Sequence, residues 1–215
     1  MTGLRGPPGY TPVSSRRVPP SFRQPDTMTN IQDHLRQRID GSVAAIESIR
    51  DLVPELARVG NSIFERMDNG GTLFTAGNGG SAAHALHLSE ELVGRYRSNR
   101  KPMPAICLNA DPTALTCIAN DFGFESVFAR QCAALVRPGD VLLVFSTSGR
   151  SGNLIEALQT ARENEALTVG LLGGDGGPCR DLCDHPIVVP AEDSAFIQEG
   201  HQVLLHLLCE MAEQR

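Results

Sequence analysis

His87 and Glu91 stand four residues apart in the tract SAAHALHLSEELV, with His84 three residues before His87. On a helix these side chains share one face. A carboxylate held beside an imidazole suits general base work, although a helix surface also carries solvated carboxylates of this kind. Directly ahead lies Gly77-Asn78-Gly79-Gly80-Ser81, a glycine loop that opens the same helix, with Ser81 placed to be its N-cap. Backbone N–H groups at such a helix start, with the positive end of the dipole, favour a phosphate or carboxylate. The loop is neither G-x-G-x-x-G nor G-x-x-x-x-G-K-S/T, so the two standard nucleotide fingerprints are not met. A second polar loop, Ser146-Thr147-Ser148-Gly149-Arg150-Ser151, places four hydroxyls in six residues. Hydroxyls donate to phosphate oxygens without adding charge. The last candidates are on the C-terminal segment FIQEGHQVLLHLLCEM, where His206 stands among leucines and Gln198 lies two helical turns before it. A lone histidine in that setting is commonly a core residue.

Both loops follow apolar runs, Leu73 to Ala76 and Val141 to Phe145, and further short runs occur at Ala105 to Leu108, Thr168 to Leu172 and Ile187 to Val189. Helical patterns fall between and after them, at Ala82 to Val93, Thr113 to Ala119, Glu125 to Val136, Asn153 to Glu163 and Ala195 to Ala212. This alternation predicts an α/β domain, a parallel five-stranded sheet with helices on both faces. In such sheets ligands bind beyond the carboxyl ends of the strands, where the two polar loops would converge. Two more helices precede the first strand: Ile31, Leu35, Ile39, Val43, Ile46 and Ile49 recur at helical steps, and Pro54 to Met67 repeats the pattern. They need a surface to bury them.

A chain of 215 residues suits one domain over residues 28–215. The first 27 residues hold six prolines and four arginines against one acid, which predicts a disordered tail that is no secretory signal, with Met28 as a plausible start. With the whole chain at −6, the remainder carries about −9. That charge argues against nucleic acid, and no apolar run is long enough to span a membrane. Six cysteines without a C-x-x-C pair read as reduced thiols of a cytoplasmic protein, and Cys179, Cys183 and His185 lack a zinc spacing.

Taken in order, GNGGS, H-x-x-x-E, NDFGFE, FSTSGRS and IQE with a histidine eight residues beyond the glutamine resemble the sugar isomerase (SIS) domain, and within it the sedoheptulose 7-phosphate isomerases, or phosphoheptose isomerases. The resemblance runs from about Ile31 to the C-terminus. It implies a flavodoxin-like three-layer fold, a homotetramer packed through the first two helices, and a phosphorylated seven-carbon sugar as substrate. It implies conversion of sedoheptulose 7-phosphate to D-glycero-D-manno-heptose 7-phosphate through a cis-enediol, with Glu91 as base and His206 as general acid/base. His87, Glu91, Gln198 and His206 match the family's positions for one zinc ion per subunit. Asn78, Gly79, Gly80, Ser81, Ser146, Thr147, Ser148 and Ser151 match the phosphate and sugar-chain contacts, and Asn120 and Asp121 the pair that holds substrate hydroxyls. Arg95 is a further candidate for phosphate or transition-state charge.

Three departures from the family pattern stand out. His84 replaces an acid, Ala195 and Phe196 replace an aspartate and an arginine before Gln198, and Arg150 stands where Asn is common. His84 reads as an extra ligand, a phosphate contact or, most simply, a surface residue. The alternatives to the isomerase are a non-catalytic SIS protein, binding the replication initiator or sensing sugar phosphates, and an isomerase of another phosphosugar. Glu91 together with Gln198 and His206 argues for an enzyme over the binding protein, while the residues weigh little between one phosphosugar and another.

Overall fold

The computed structural model describes residues 30–215, so the tail expected over residues 1–27 lies outside it. The chain divides into a short unit ending at Gln37 and a second unit, Arg38–Arg215. Helix α1 (Ile31–Ser48) begins in the first unit and ends in the second; Asn30 opens it, its Oδ1 accepting from the Gln32 N–H at 3.1 Å. A 3-10 turn, Ile49–Leu52, joins α1 to α2 (Val53–Asp68), and Pro54 lies in the first turn of α2, where its missing N–H costs nothing.

The remaining elements alternate: β1 (Leu73–Gly77), α3 (Gly80–Val93), β2 (Ala105–Cys107), α4 (Pro112–Phe122), α5 (Ala129–Leu135), β3 (Val141–Ser146), α6 (Gly152–Glu163), β4 (Leu167–Gly173), α7 (Gly177–Leu182), β5 (His185–Val189) and α8 (Ser194–Ala212). The five strands form one sheet in the order β2-β1-β3-β4-β5, every pair parallel. The direction of winding reverses between β1 and β3, the switch point at which a crevice opens.

Every residue of β1, β3 and β4 is buried, because helices cover both faces; the strands therefore read as unbroken apolar runs. On one face Leu73, Leu143, Phe145 and Leu171 pack against Val59, Ile63, Leu88 and Leu204 of α2, α3 and α8. On the other, Phe74, Leu142 and Val144 pack against Phe128, Cys132, Leu154 and Leu158 around α5 and α6. Each fully buried Leu or Phe contributes about 1.5–3 kcal/mol relative to an exposed one. Thr75 ties strand to helix: its hydroxyl donates to the Ala85 carbonyl and shares a hydrogen bond with Ser89, both at 2.8 Å. All six cysteines are free thiols, and burial pushes Cys132 and Cys209 up to about 12 and Cys179 up to about 11.

The structure differs from expectation in three elements. The segment Glu125 to Val136 is not one helix: a 3-10 turn at Phe124–Ser126 precedes α5, because Val127 and Phe128 both turn into the core. Helix α7 lies in a Gly/Pro-rich stretch with no helical period, begun by Pro178 in its first turn. Helix α3 starts at Gly80 with Gly79 as its cap at φ +58°, so Ser81 is not the N-cap but a buried first-turn residue.

The helix expected from the amphipathic pattern of α1 forms, but among the described residues its apolar face is uncovered. Ile39, Val43 and Ile46 are 62%, 48% and 40% exposed.

Candidate active site

Strands β1 and β3 are paired in register up to Gly77 and Phe145, so the loops leaving their carboxyl ends adjoin. The Asn78 and Asn153 amides join them, each donating to the other's oxygen at 2.9 Å. Asn153 is buried in the first turn of α6, and its polar atoms have no water to turn to. The hydroxyl loop is braced from within, with the Gly149 N–H donating to Ser146 Oγ at 2.9 Å and the Arg150 N–H to Ser148 Oγ at 3.3 Å. Gly149 has φ +60°, and a Cβ there would lie 1.8 Å from the Gly176 carbonyl oxygen. Only glycine fits. Ser151 is the N-cap residue of α6, with its hydroxyl not used for capping.

The starts of α3 and α6 thus face one crevice, each with the positive end of a helix dipole. The Gln198 amide lies against Gly80, where a Cβ would meet its nitrogen at 2.6 Å. Beside the glycine loop is a cavity of about 290 Å³ lined by Gly77, Asn78, Gly79, Leu115, Thr116 and Phe124 among others. A larger concavity, about 600 Å³, lies at the opposite end of the sheet against Arg66, Arg137 and Asp140, away from both polar loops.

The acid–base candidates meet two to three turns along α3, where it packs on α8. His87 Nε2 is 3.2 Å from Glu91 Oε1, and both side chains are largely covered, at 31% and 15% exposure. The His206 ring stands edge-on to His87 with centroids 5.2 Å apart, and Tyr96 packs over it at 5.6 Å. His206 is therefore half-buried and directed to α3, not a sealed core residue. The group that joins the two rings is one the sequence did not single out. Gln202 Nε2 lies 3.1 Å from His87 Nδ1 and 3.0 Å from His206 Nε2. Its signal was its place one turn before His206, on the same helical face.

Arg100, also not anticipated, closes the end of α3, its guanidinium donating to the Glu91 and Leu92 carbonyls at 2.6 and 2.9 Å. It fixes the last turn, from which Glu91 projects.

Other expected residues make no hydrogen bond to this cluster. Asn120 and Asp121 are exposed at the end of α4, joined to each other by a 2.8 Å hydrogen bond. Arg95 is exposed in the connection after α3. Arg150 is turned from the hydroxyl loop onto Asp175 at 2.5 Å. The Gly177 N–H, with the Arg150 charge, holds the Asp175 carboxyl below its usual range. His84 is not a surface residue. It is half-buried beside Phe145 and His201, its Nδ1 is buried without a partner, and burial, with His87 nearby, lowers its pKa. Phe196 fills space over Gly41 of α1 and stacks under the Arg38 guanidinium at 4.1 Å. Arg38 also grips the Asp193 carboxylate at 2.8 and 3.0 Å, holding it down at about 2. The departure at Phe196 is thus a packing residue between α1 and α8.

A metal can be tested against the donors present. Ligand atoms of His87, Glu90 and Glu91 lie within 4.8 Å of one another, and His206 adjoins them. Imidazole and carboxylate are an N/O set that zinc accepts, so the residues fit such an ion. Of the four expected positions, Gln198 lies over Gly80, and the amide hydrogen-bonded to the two rings is that of Gln202.

The sequence profile of the SIS domain matches residues 39–173. A phosphoheptose isomerase of Geotalea daltonii is 45% identical over 184 residues, 85% of this chain and 96% of that protein. Phosphoheptose isomerase 1 of Campylobacter jejuni is 45% identical over 169 residues, 79% of this chain and 91% of that protein. The structure of a phosphoheptose isomerase from Francisella tularensis superposes with a TM-score of 0.84 at 34% identity, covering 87% of this chain and all of the other.

Proposed function

The chain belongs to the SIS domain family and, within it, to the phosphoheptose isomerases; on that premise we propose that it interconverts sedoheptulose 7-phosphate and D-glycero-D-manno-heptose 7-phosphate. One observation carries the reading to this chain's own residues: Glu91, His87, Gln202 and His206 are hydrogen-bonded in series beside a preformed anion cradle.

The reaction moves one proton between C1 and C2 and another between the two oxygens. Glu91 takes the C1 proton, the electron pair forms the C1–C2 double bond of a cis-enediol, and the same carboxyl returns a proton to C2. His206 passes the second proton between O1 and O2. Asn78, Gly79, Gly80 and Ser81, with Ser146, Thr147, Ser148 and Ser151, hold the phosphate through neutral donors and two helix starts. About 10 Å of helix separates Gly80 from His87, so the two sites suit the two ends of an extended sugar phosphate. Asn120, Asp121, Gln198 and Arg95 remain candidates for the sugar hydroxyls and the phosphate.

The residues proposed to hold zinc are His87, Glu91 and His206, with Gln198 by resemblance and Gln202 by position. A bound ion would supply Lewis-acid polarisation of the sugar oxygens. Self-association is proposed from the open apolar face of α1, with Val53 of α2 also 48% exposed. A cytoplasmic location is proposed from the six free thiols. No helix among the described residues is long and apolar enough to cross a membrane.

The test is incubation with sedoheptulose 7-phosphate in heavy water, followed by proton NMR. Deuterium entering C2 of the aldose, with turnover abolished in Glu91→Gln, is the expected result. Turnover that survives in Glu91→Gln would remove Glu91 as base, and no turnover in the wild-type protein would remove the isomerase.

A further inference from the structure

The glycine loop is held from its outer side by a side chain that takes the place of a strand. Strand β1 lies between β2 and β3, and successive residues of a strand direct their N–H and C=O groups to alternate neighbours. On the β2 side the ladder uses Leu73, whose N–H donates to the Pro104 carbonyl at 3.0 Å, and Thr75, whose carbonyl accepts from the Leu108 N–H at 2.8 Å. Gly77 is next in that series and needs one more residue of β2. The chain has turned away by then, with the Ala110 N–H spent on the Cys107 carbonyl at 3.0 Å. The half-buried Asn109 side chain fills the gap. Its Oδ1 accepts from the Gly77 N–H at 3.1 Å, and its Nδ2 donates to the Gly77 carbonyl at 2.9 Å. A carboxamide carries an acceptor and a donor side by side, as a strand edge does, so it completes both bonds at once. The reversed amide would set oxygen against oxygen, which settles its orientation.

The consequence lies on the far side of the same peptide. Across this trans bond the Asn78 N–H points away from the Gly77 carbonyl. With that carbonyl held towards Asn109, the Asn78 N–H is directed to the β3 side, where the hydroxyl loop leaves the sheet. The N–H groups of Ser81 and Ala82 return to the Asn78 and Gly79 carbonyls at 3.1 and 3.0 Å, while those of Asn78, Gly79 and Gly80 meet no acceptor among the described residues. Gly77 also presses on the first turn of α3, since a Cβ there would lie 2.4 Å from the Ser81 carbonyl oxygen. A rotation of its peptide would therefore disturb the helix start as well. We propose that Asn109 is a positioning residue of the phosphate cradle: standing in for a strand beside Gly77, it aims the Asn78 N–H and the glycine turn after it at the anion. The inference rests on the reading of this loop as a phosphate site.

Two variants of similar size separate this role from simple filling of space. Asn109→Leu keeps the bulk and removes both hydrogen bonds. Asn109→Asp keeps the acceptor for the Gly77 N–H but sets a second oxygen against the Gly77 carbonyl, which turns the peptide. The full-length proteins are titrated with inorganic phosphate by calorimetry and assayed for kcat and KM with sedoheptulose 7-phosphate. In both variants the phosphate Kd and the KM are expected to rise about 10-fold, the worth of one or two hydrogen bonds, with kcat within about threefold of the wild type. The same loss in the neutral Leu variant excludes charge repulsion as its cause. Where Asn109→Leu fails to fold, the isosteric Asn109→Asp carries both readings. Unchanged phosphate Kd and KM in the folded variant overturn the proposal, as does a fall in kcat at unchanged KM. A wild type that turns over the sugar without binding phosphate overturns it together with the cradle. A wild type that binds phosphate, with the affinity lost in the variants, yet turns over no sugar upholds the positioning role and removes the isomerase.

Discussion

His201 sets a pH limit on the stability of this fold. The side chain is fully buried on the inner face of α8, its Nε2 donates to the Leu172 carbonyl of β4 at 3.1 Å, and its Nδ1 is buried with no partner. Protonation would add an N–H with nothing to receive it, and desolvation pushes the pKa from 6.5 down to about 4. The unfolded chain takes up the proton near pH 6.5 and the folded chain does not. The stabilising contribution is therefore complete above pH 6.5 and is lost as pH falls from there towards 4. At pH 5 the linkage relation gives a loss of about 2 kcal/mol. His201→Gln keeps a donor for the Leu172 carbonyl and removes the titration. Urea unfolding of both proteins at pH 7.5 and pH 5, at one protomer concentration, isolates the effect, because His84 and the carboxylates contribute to both. The wild type should lose about 2 kcal/mol more than the variant between the two pH values. Equal losses would refute the argument, and a larger loss in the variant would reverse its sign.

Two further outcomes follow from the cradle. Gly149→Ala should cost about 3 kcal/mol or more, since φ +60° is strained for alanine and its Cβ meets the Gly176 backbone; thermal unfolding and the KM for the phosphosugar report it together. Asn153→Ala removes both hydrogen bonds to Asn78 and should cost about 1–3 kcal/mol, with KM rising and kcat less affected, as steady-state kinetics would show.

The α/β architecture was legible because β1, β3 and β4 are covered on both faces and so read as apolar runs between helical patterns. The two polar loops were legible for the same reason, as breaks in composition directly after a strand. The limits of α3 were less so, because Ser81 carries the residue type of a cap while Gly79 has the backbone freedom that the turn needs. Gln202 and Asn153 were missed since an amide has no period and no fixed spacing to a distant partner; their roles exist only once α3 meets α8 and β1 meets β3. His84 was misjudged because helical spacing gives a face but not what covers it, here Phe145 and His201. The cover for Ile39, Val43 and Ile46 is likewise not found among the described residues.

The bracing of the hydroxyl loop bears on the entropy of ligand capture. Ser146 Oγ, the Gly149 backbone and the 176–179 turn are already joined, with the Cys179 N–H donating to the Gly149 carbonyl at 3.0 Å. The loop has surrendered its conformational freedom during folding, so on the proposed reading of it as a phosphate site the ligand need not order it. A protein of net charge −6 can then retain a dianionic sugar with few cations at the loop, and let it go again, because the donors stand in place beforehand and no strong ion pair has to be broken.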